Sequence, residues 1–307
     1  MIAVHCRPWG RSLGAALAIV GLVGAWGSGT SGSTSPPIYP APGDPAPSDP
    51  AGTAPLSTPR ASMEGWELTW HDEFDGDSID PTNWTLDIGG GGWGNGEAQY
   101  YTSRPENARV EDGLLVIEGR QEQYEDSYYT SARLKTQGLR EFQYGRFEAR
   151  LKVPRGAGLW PAFWMLGATF EVDGAEENSW PFVGEIDIME HLGREPDLIL
   201  GTIHGPGYSG ALGLTRWNRQ EYDIADDFHT YAVEWDEDGI RWYYDDELYS
   251  TVGPDDVGNR EWVFDHEFFL IVNLALGGQF PGPIGLDTEF PTYLYVEYVR
   301  VYQQVPE

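Results

Sequence analysis

Gly184-Glu185-Ile186-Asp187-Ile188-Met189-Glu190 sets three carboxylates into an apolar run. Glu185 and Asp187 alternate with Ile186 and Ile188, so an extended chain places both acids on one face and both isoleucines on the other. That pattern predicts a strand with one working face. Glu190 stands at an odd offset from Asp187 and would point into the opposite layer unless one extra residue, most simply Met189, is taken up in a β-bulge. With the bulge, all three acids share a face. Their apolar neighbours predict a strand covered by protein rather than a solvated acidic edge.

Carboxylates crowded on one face repel, and the least costly response near neutral pH is for at least one to hold a proton. Two carboxyls about 5–5.5 Å apart, one ionised as nucleophile and one protonated as acid, are the equipment of a retaining glycosidase. A third acid between them tunes both.

Around this segment the chain reads as all-β. From Glu64 onward short stretches alternate with period two, and no long amphipathic helix pattern appears. Phe147, Ala149, Leu151 and Val153 alternate with charged residues. Tyr231, Val233 and Trp235 do likewise, and after Asp236-Glu237-Asp238-Gly239 the run Arg241-Trp242-Tyr243-Tyr244 reads as the return strand of a hairpin. Residues 114–118, 199–204, 268–276 and 293–302 are further strand candidates. Many strands separated by Gly, Pro, Asn and Asp, without helices to cover a parallel sheet, predict an antiparallel sandwich in which one curved sheet carries the acids.

The N-terminal part differs. Arg7 and Arg11 precede an apolar run from Leu13 to Trp26 followed by small residues, the layout of a secretory signal over 1–27. Residues 28–62 are rich in Pro, Gly, Ser and Thr and cannot bury enough surface to offset chain entropy, so a disordered spacer is expected there, followed by one catalytic domain over 63–307. Cys6, the only cysteine, would leave with the signal. The expectation is an exported protein without stable membrane association once cleaved. The net charge is −30 and only Lys135 and Lys152 are lysines, so nucleic acid and acidic polysaccharides are repelled and a neutral partner is favoured.

Trp160 and Trp164 are four apart, so on a strand they share a face, and exposed indoles are platforms for the apolar C–H faces of sugar rings.

Gly184-Glu-Ile-Asp-Ile-Met-Glu-His191 resembles the bulged active-site motif of the family 16 glycoside hydrolases, in particular the bacterial laminarinase-like members. The resemblance runs from about Trp66 to Gln303. It includes Trp70-His-Asp-Glu-Phe-Asp75, Trp93-Gly-Asn-Gly-Glu-Ala-Gln-Tyr-Tyr-Thr102, Ser131-Ala-Arg-Leu-Lys-Thr136, Trp160-Pro-Ala-Phe-Trp-Met165, Thr202-Ile-His-Gly205 and Val299-Arg-Val-Tyr302, in family order. It implies a β-jelly roll of two curved antiparallel sheets, with an open cleft on the concave face. The implied activity is retaining endo-hydrolysis of internal β-1,3 bonds of a neutral β-glucan. By the same carry-over Glu185 is the nucleophile, Glu190 the acid/base and Asp187 their electrostatic partner. Asn95, Arg133, Trp160, Trp164, His204 and Trp235 are implied along the cleft.

No cofactor is expected in the chemistry and a monomer is expected. A structural calcium is implied at Glu73, Gly113 and Glu297, although the last position is usually Asp in the family. Phe280 stands where many members have tryptophan, and Gly96 and Ala98 also depart from the family pattern, which bears on the outer subsites. Two other outcomes on the same fold are a glucan-binding lectin, against which the three intact acids argue, and a transglycosylase or mixed-linkage β-1,3-1,4-glucanase.

Overall fold

The computed structural model describes residues 62–305. The expected signal and nearly all of the expected spacer lie outside the described residues. Ser62, assigned above to the spacer, already pairs with Glu67 in a short antiparallel contact at the start of the domain.

Two sheets face each other. The larger runs in the order 247–252, 239–244, 229–236, 145–152, 292–304, 114–124, 127–131 and 99–101, with three further short strands on its flank. The smaller runs 214–219, 198–204, 185–191, 159–167, 268–276, 133–135 and 85–86, with 141–142 also against 268–276. This is the all-β sandwich read from the alternation, with one difference: Gln99–Tyr101 pairs parallel to Ser127–Ser131. The predicted hairpin forms, with Tyr231 opposite Tyr244 and Asp236 opposite Gly239. Gly239 is required at its turn, because its φ is 151° and a Cβ there would sit 2.5 Å from the carbonyl oxygen of Val252.

The core lies between the sheets and takes one side of each strand. Phe147, Ala149 and Leu151 meet Val233, Phe268, Leu270 and Val272 there, all fully buried. The acid-bearing strand, Glu185–His191, is central in the smaller sheet and sends Ile186, Ile188 and Met189 into this core. Adjacent inward side chains break the period-two rule, and the register shows where. Between Asp187 and Glu190 the strand carries one residue more than its neighbour, Asp187 lying opposite Thr202 and Glu190 opposite Leu200. On the other side Phe163 pairs with Met189 and Trp164 with Asp187, which leaves Ile188 without an opposite number. The bulge therefore spans Ile188-Met189, and towards the 159–167 strand the extra residue is Ile188 rather than Met189. Burying both side chains holds the bulge in place, each worth about 1.5–3 kcal/mol relative to exposure. From the opposite sheet the fully buried Trp242 donates its indole N–H to the carbonyl of Asp187 at 2.9 Å. Gly201 makes room for that indole, since a Cβ there would lie 2.4 Å from it.

Candidate active site

The consequence of the bulge is that Glu185, Asp187 and Glu190 all project from the outer face of the smaller sheet, away from the core. Neighbours in register confirm this face. Glu185 lies opposite His204, and Asp187 opposite Thr202, whose hydroxyl reaches Glu190.

Each terminal acid is held by its own indole. Trp180 Nε1 donates to Glu185 Oε2 at 2.8 Å, and Trp160 Nε1 donates to Glu190 Oε1 at 3.1 Å. Thr202 Oγ1 lies 3.2 Å from Glu190 Oε2 and 3.2 Å from Thr215 Oγ1. A hydroxyl both donates and accepts. Thr202 can thus donate to an ionised Glu190, or accept from a protonated one and pass its own hydrogen to Thr215. The site accommodates either protonation state of Glu190 without moving a heavy atom.

Burial is the first cause of the electrostatics. It pushes Glu185 up to about 8, with the charge of Asp187 adding to the effect. Asp187 and Glu190 are also raised, burial coming first for both and the charge of Glu190 second for Asp187. Asp187 lies on the same face as Glu185, two residues along the strand, and its charge opposes ionisation of Glu185. His204 Nε2 sits 3.3 Å from Asp187 Oδ2 and 3.6 Å from Glu185 Oε1. A cationic imidazole there favours ionised acids. The cluster as a whole carries fewer than three negative charges near neutrality, which leaves a proton available for transfer.

The residues expected along the cleft divide. Trp160 packs edge-on against Phe280, with centroids 5.3 Å apart. Trp164 donates to Asn273 Oδ1 at 2.7 Å, and Asn273 in turn donates to Tyr101. Arg133 lies between two rings, 4.7 Å from the centroid of Trp164 and 5.1 Å from that of Trp93, with Asp87 as its carboxylate partner at 3.1 Å. Trp160, Trp164, Arg133 and His204 thus gather on the face of the acids. Asn95 is exposed in an adjoining loop, bonded to Glu97, and its carbonyl accepts from the backbone of Gln279 next to Phe280. It stands at the rim.

Trp235 does not belong there. It is 1% exposed and packs on Tyr144, Phe147 and Phe268, with its indole N–H on the carbonyl of Phe264 at 3.0 Å. It shares the inward side of its strand with Val233 and Tyr231 and is a core residue. The implied calcium positions also fail to make a cation cage. Both oxygens of Glu73 are taken by Arg300, at 2.8 and 2.7 Å, and Glu297 is paired with Arg150. A divalent cation would have to displace guanidinium groups, so these residues as placed do not fit calcium.

The sequence reading missed Trp180 and the role of Thr202. Trp180 had a signal, an aromatic in a polar loop five residues before Glu185. Thr202 had none beyond its place in a motif, because its contact depends on which residue lies across the ladder.

Comparison with known proteins finds similar chains. The profile of Glycosyl hydrolases family 16 matches residues 95–277. A protein named beta-glucanase from Rhodothermus marinus is 49% identical over 249 residues, covering 78% of this chain and 86% of its own length. A glucan endo-1,3-beta-glucosidase from Cryptopygus antarcticus is 40% identical over 255 residues, covering 76% and 91%. Among solved structures, the catalytic domain of an endo-1,3-beta-glucanase (laminarinase) from Thermotoga petrophila superposes with a TM-score of 0.74 at 46% identity, covering 78% of this chain and 99% of that one.

Proposed function

The chain belongs to family 16 of the glycosyl hydrolases, and from that premise we propose that it is an endo-acting enzyme that cleaves internal β-1,3 bonds of a neutral glucan with retention of anomeric configuration. The observation that carries the reading is the pair Glu185 and Glu190 on one outer face of a bulged strand, each oriented by a separate indole donor. The glucan specificity is supported by what the relatives are named for. A surface of net charge −30 suits an uncharged polymer.

In the first step Glu185 attacks the anomeric carbon while Glu190 gives its proton to the glycosidic oxygen, so the bond to the leaving sugar breaks as the glycosyl ester forms. Glu185 is ionised at this stage, as a nucleophile must be, and the proton that is transferred is the one on Glu190. Glu190, now a carboxylate that accepts from Trp160 and Thr202, takes a proton from water. That water attacks the same carbon and frees Glu185. No step requires a metal ion. The apolar segment behind Arg7 and Arg11 supports export as part of the same reading.

Digestion of laminarin followed by proton NMR in the first minutes tests this. The expected result is new reducing ends that appear first as the β-anomer and then mutarotate, with short oligosaccharides as products. Initial α-anomer would overturn retention, and no cleavage of laminarin would overturn the substrate.

The acid cluster adds a pH prediction. Glu185 must lose its proton for attack, and Asp187 raises the pH at which it does so. In Asp187→Asn the neutral amide keeps the size of the side chain but brings no charge. The acid limb of kcat/KM against pH is therefore expected to move to lower pH. An acid limb that stays in place or moves upward would remove Asp187 from the control of the nucleophile.

A further inference from the structure

Pairing across the smaller sheet aligns one residue from each of six strands in a single row: Arg133, Asn273, Ala162, Glu190, Leu200 and Trp217. Residues directly opposite in neighbouring strands project on the same side, so the row shares the face of Glu190. Two observations support the assignment. Ala162 and Leu200 are buried yet take no part in the core between the sheets. In the adjacent row Thr202 and Thr215 touch through their hydroxyls on the side of Glu190.

Trp217 ends the row on the edge strand, two strands beyond Glu190, and is 67% exposed. Two strand spacings are about 10 Å, and the whole row from Arg133 to Trp217 covers roughly 24 Å of sheet. At the other end Arg133 lies against Trp93 and Trp164. The ends of the row are therefore aromatic, with the proton donor between them. Leaving a tryptophan largely in water forgoes the burial that its ring ordinarily gains.

We propose that Trp217 is a sugar-stacking platform at the outer end of the substrate groove, engaged only by chains long enough to reach it from Glu190. This inference rests on the glucan-hydrolase reading above. The flat indole suits the C–H face of a neutral sugar ring, and the face already binds substrate at the acids, so one chain crossing the sheet meets both. Trp217 itself touches no reacting atom. Its contribution lies in holding a long substrate.

Steady-state kinetics of wild type, Trp217→Ala and Trp217→Phe on laminarin and on the shortest oligosaccharide still cleaved test the proposal. Trp217→Ala is expected to raise KM for laminarin about three- to tenfold, with kcat nearly unchanged, and to raise KM for the short substrate much less. Trp217→Phe is expected to restore most of the laminarin KM. An unchanged laminarin KM in Trp217→Ala, or an equal rise on both substrates, would overturn the platform while leaving the hydrolase reading intact. A wild type that does not cleave laminarin would overturn the substrate reading, and the platform with it.

Discussion

Glu185→Ser is expected to lose at least about 10³-fold in kcat on laminarin while still binding the polymer. The side chain that would attack the anomeric carbon is gone, and no other acid can replace it. Asp187 is one pleat away, and Glu190 is held against Trp160 and Thr202 for its own duty. Binding is expected to persist because Arg133, Trp160 and Trp164 have Asp87, Glu190 and Asn273 as their partners and not Glu185. Trp180, which loses its acceptor, is half in solvent and can turn to water.

Glu185→Ala opens space for a small anion, which gives the experiment its chemical readout. Azide entering that space attacks the anomeric carbon once, so it should restore bond cleavage and yield a glycosyl azide of α configuration. A binding module predicts the opposite, no cleavage by wild type and equal affinity in both proteins. If Glu185→Ser hydrolyses laminarin at a rate near that of wild type, the nucleophile lies elsewhere.

The parts of this site legible in the sequence are those governed by local spacing. Glu185 and Asp187 two apart, with Ile186 and Ile188 between them, define a face without knowledge of any neighbour. The odd offset of Glu190 required a bulge, and one is present. Which residue it absorbs was not legible. Ile188 and Met189 both enter the core, and only pairing with the 159–167 strand shows that Ile188 has no partner there.

Trp235 shows the limit from the other side. Alternation in Tyr231, Val233 and Trp235 says that they share a face, but not whether that face is the groove or the interior. The packing of Trp235 against Phe147 and Phe268 decides it. Trp217 is the converse, since its run Leu214–Arg219 looks like an ordinary edge strand. Its place in the row of Glu190 depends on registers between strands distant in sequence. Such registers are set by the whole hydrophobic pattern and the turns, so contacts across the sheet are where local reading ends.

Glu190→Gln separates the two half-reactions. Glutamine keeps the size of the side chain, its amide oxygen can accept from Trp160, and its amide nitrogen can donate to the Thr202 hydroxyl, so the groove should keep its shape. What it lacks is a transferable proton. On laminarin, kcat/KM is expected to fall by about 10²–10⁴-fold, because the departing sugar oxygen leaves poorly unless protonated. An aryl β-glycoside with an acidic phenol leaves without that help. Glu185 should then form the glycosyl ester at a useful rate, and the variant should release about one equivalent of phenolate in a burst before slowing, since no base remains to activate water. Azide needs no base. It should accelerate turnover by attacking the ester and, after two inversions, give a glycosyl azide of β configuration. The same anion thus reports opposite anomers from Glu185→Ala and Glu190→Gln. If Glu190→Gln yields the α-azide, or retains full activity on laminarin, then Glu190 is not the proton donor and the roles assigned to the two acids are wrong.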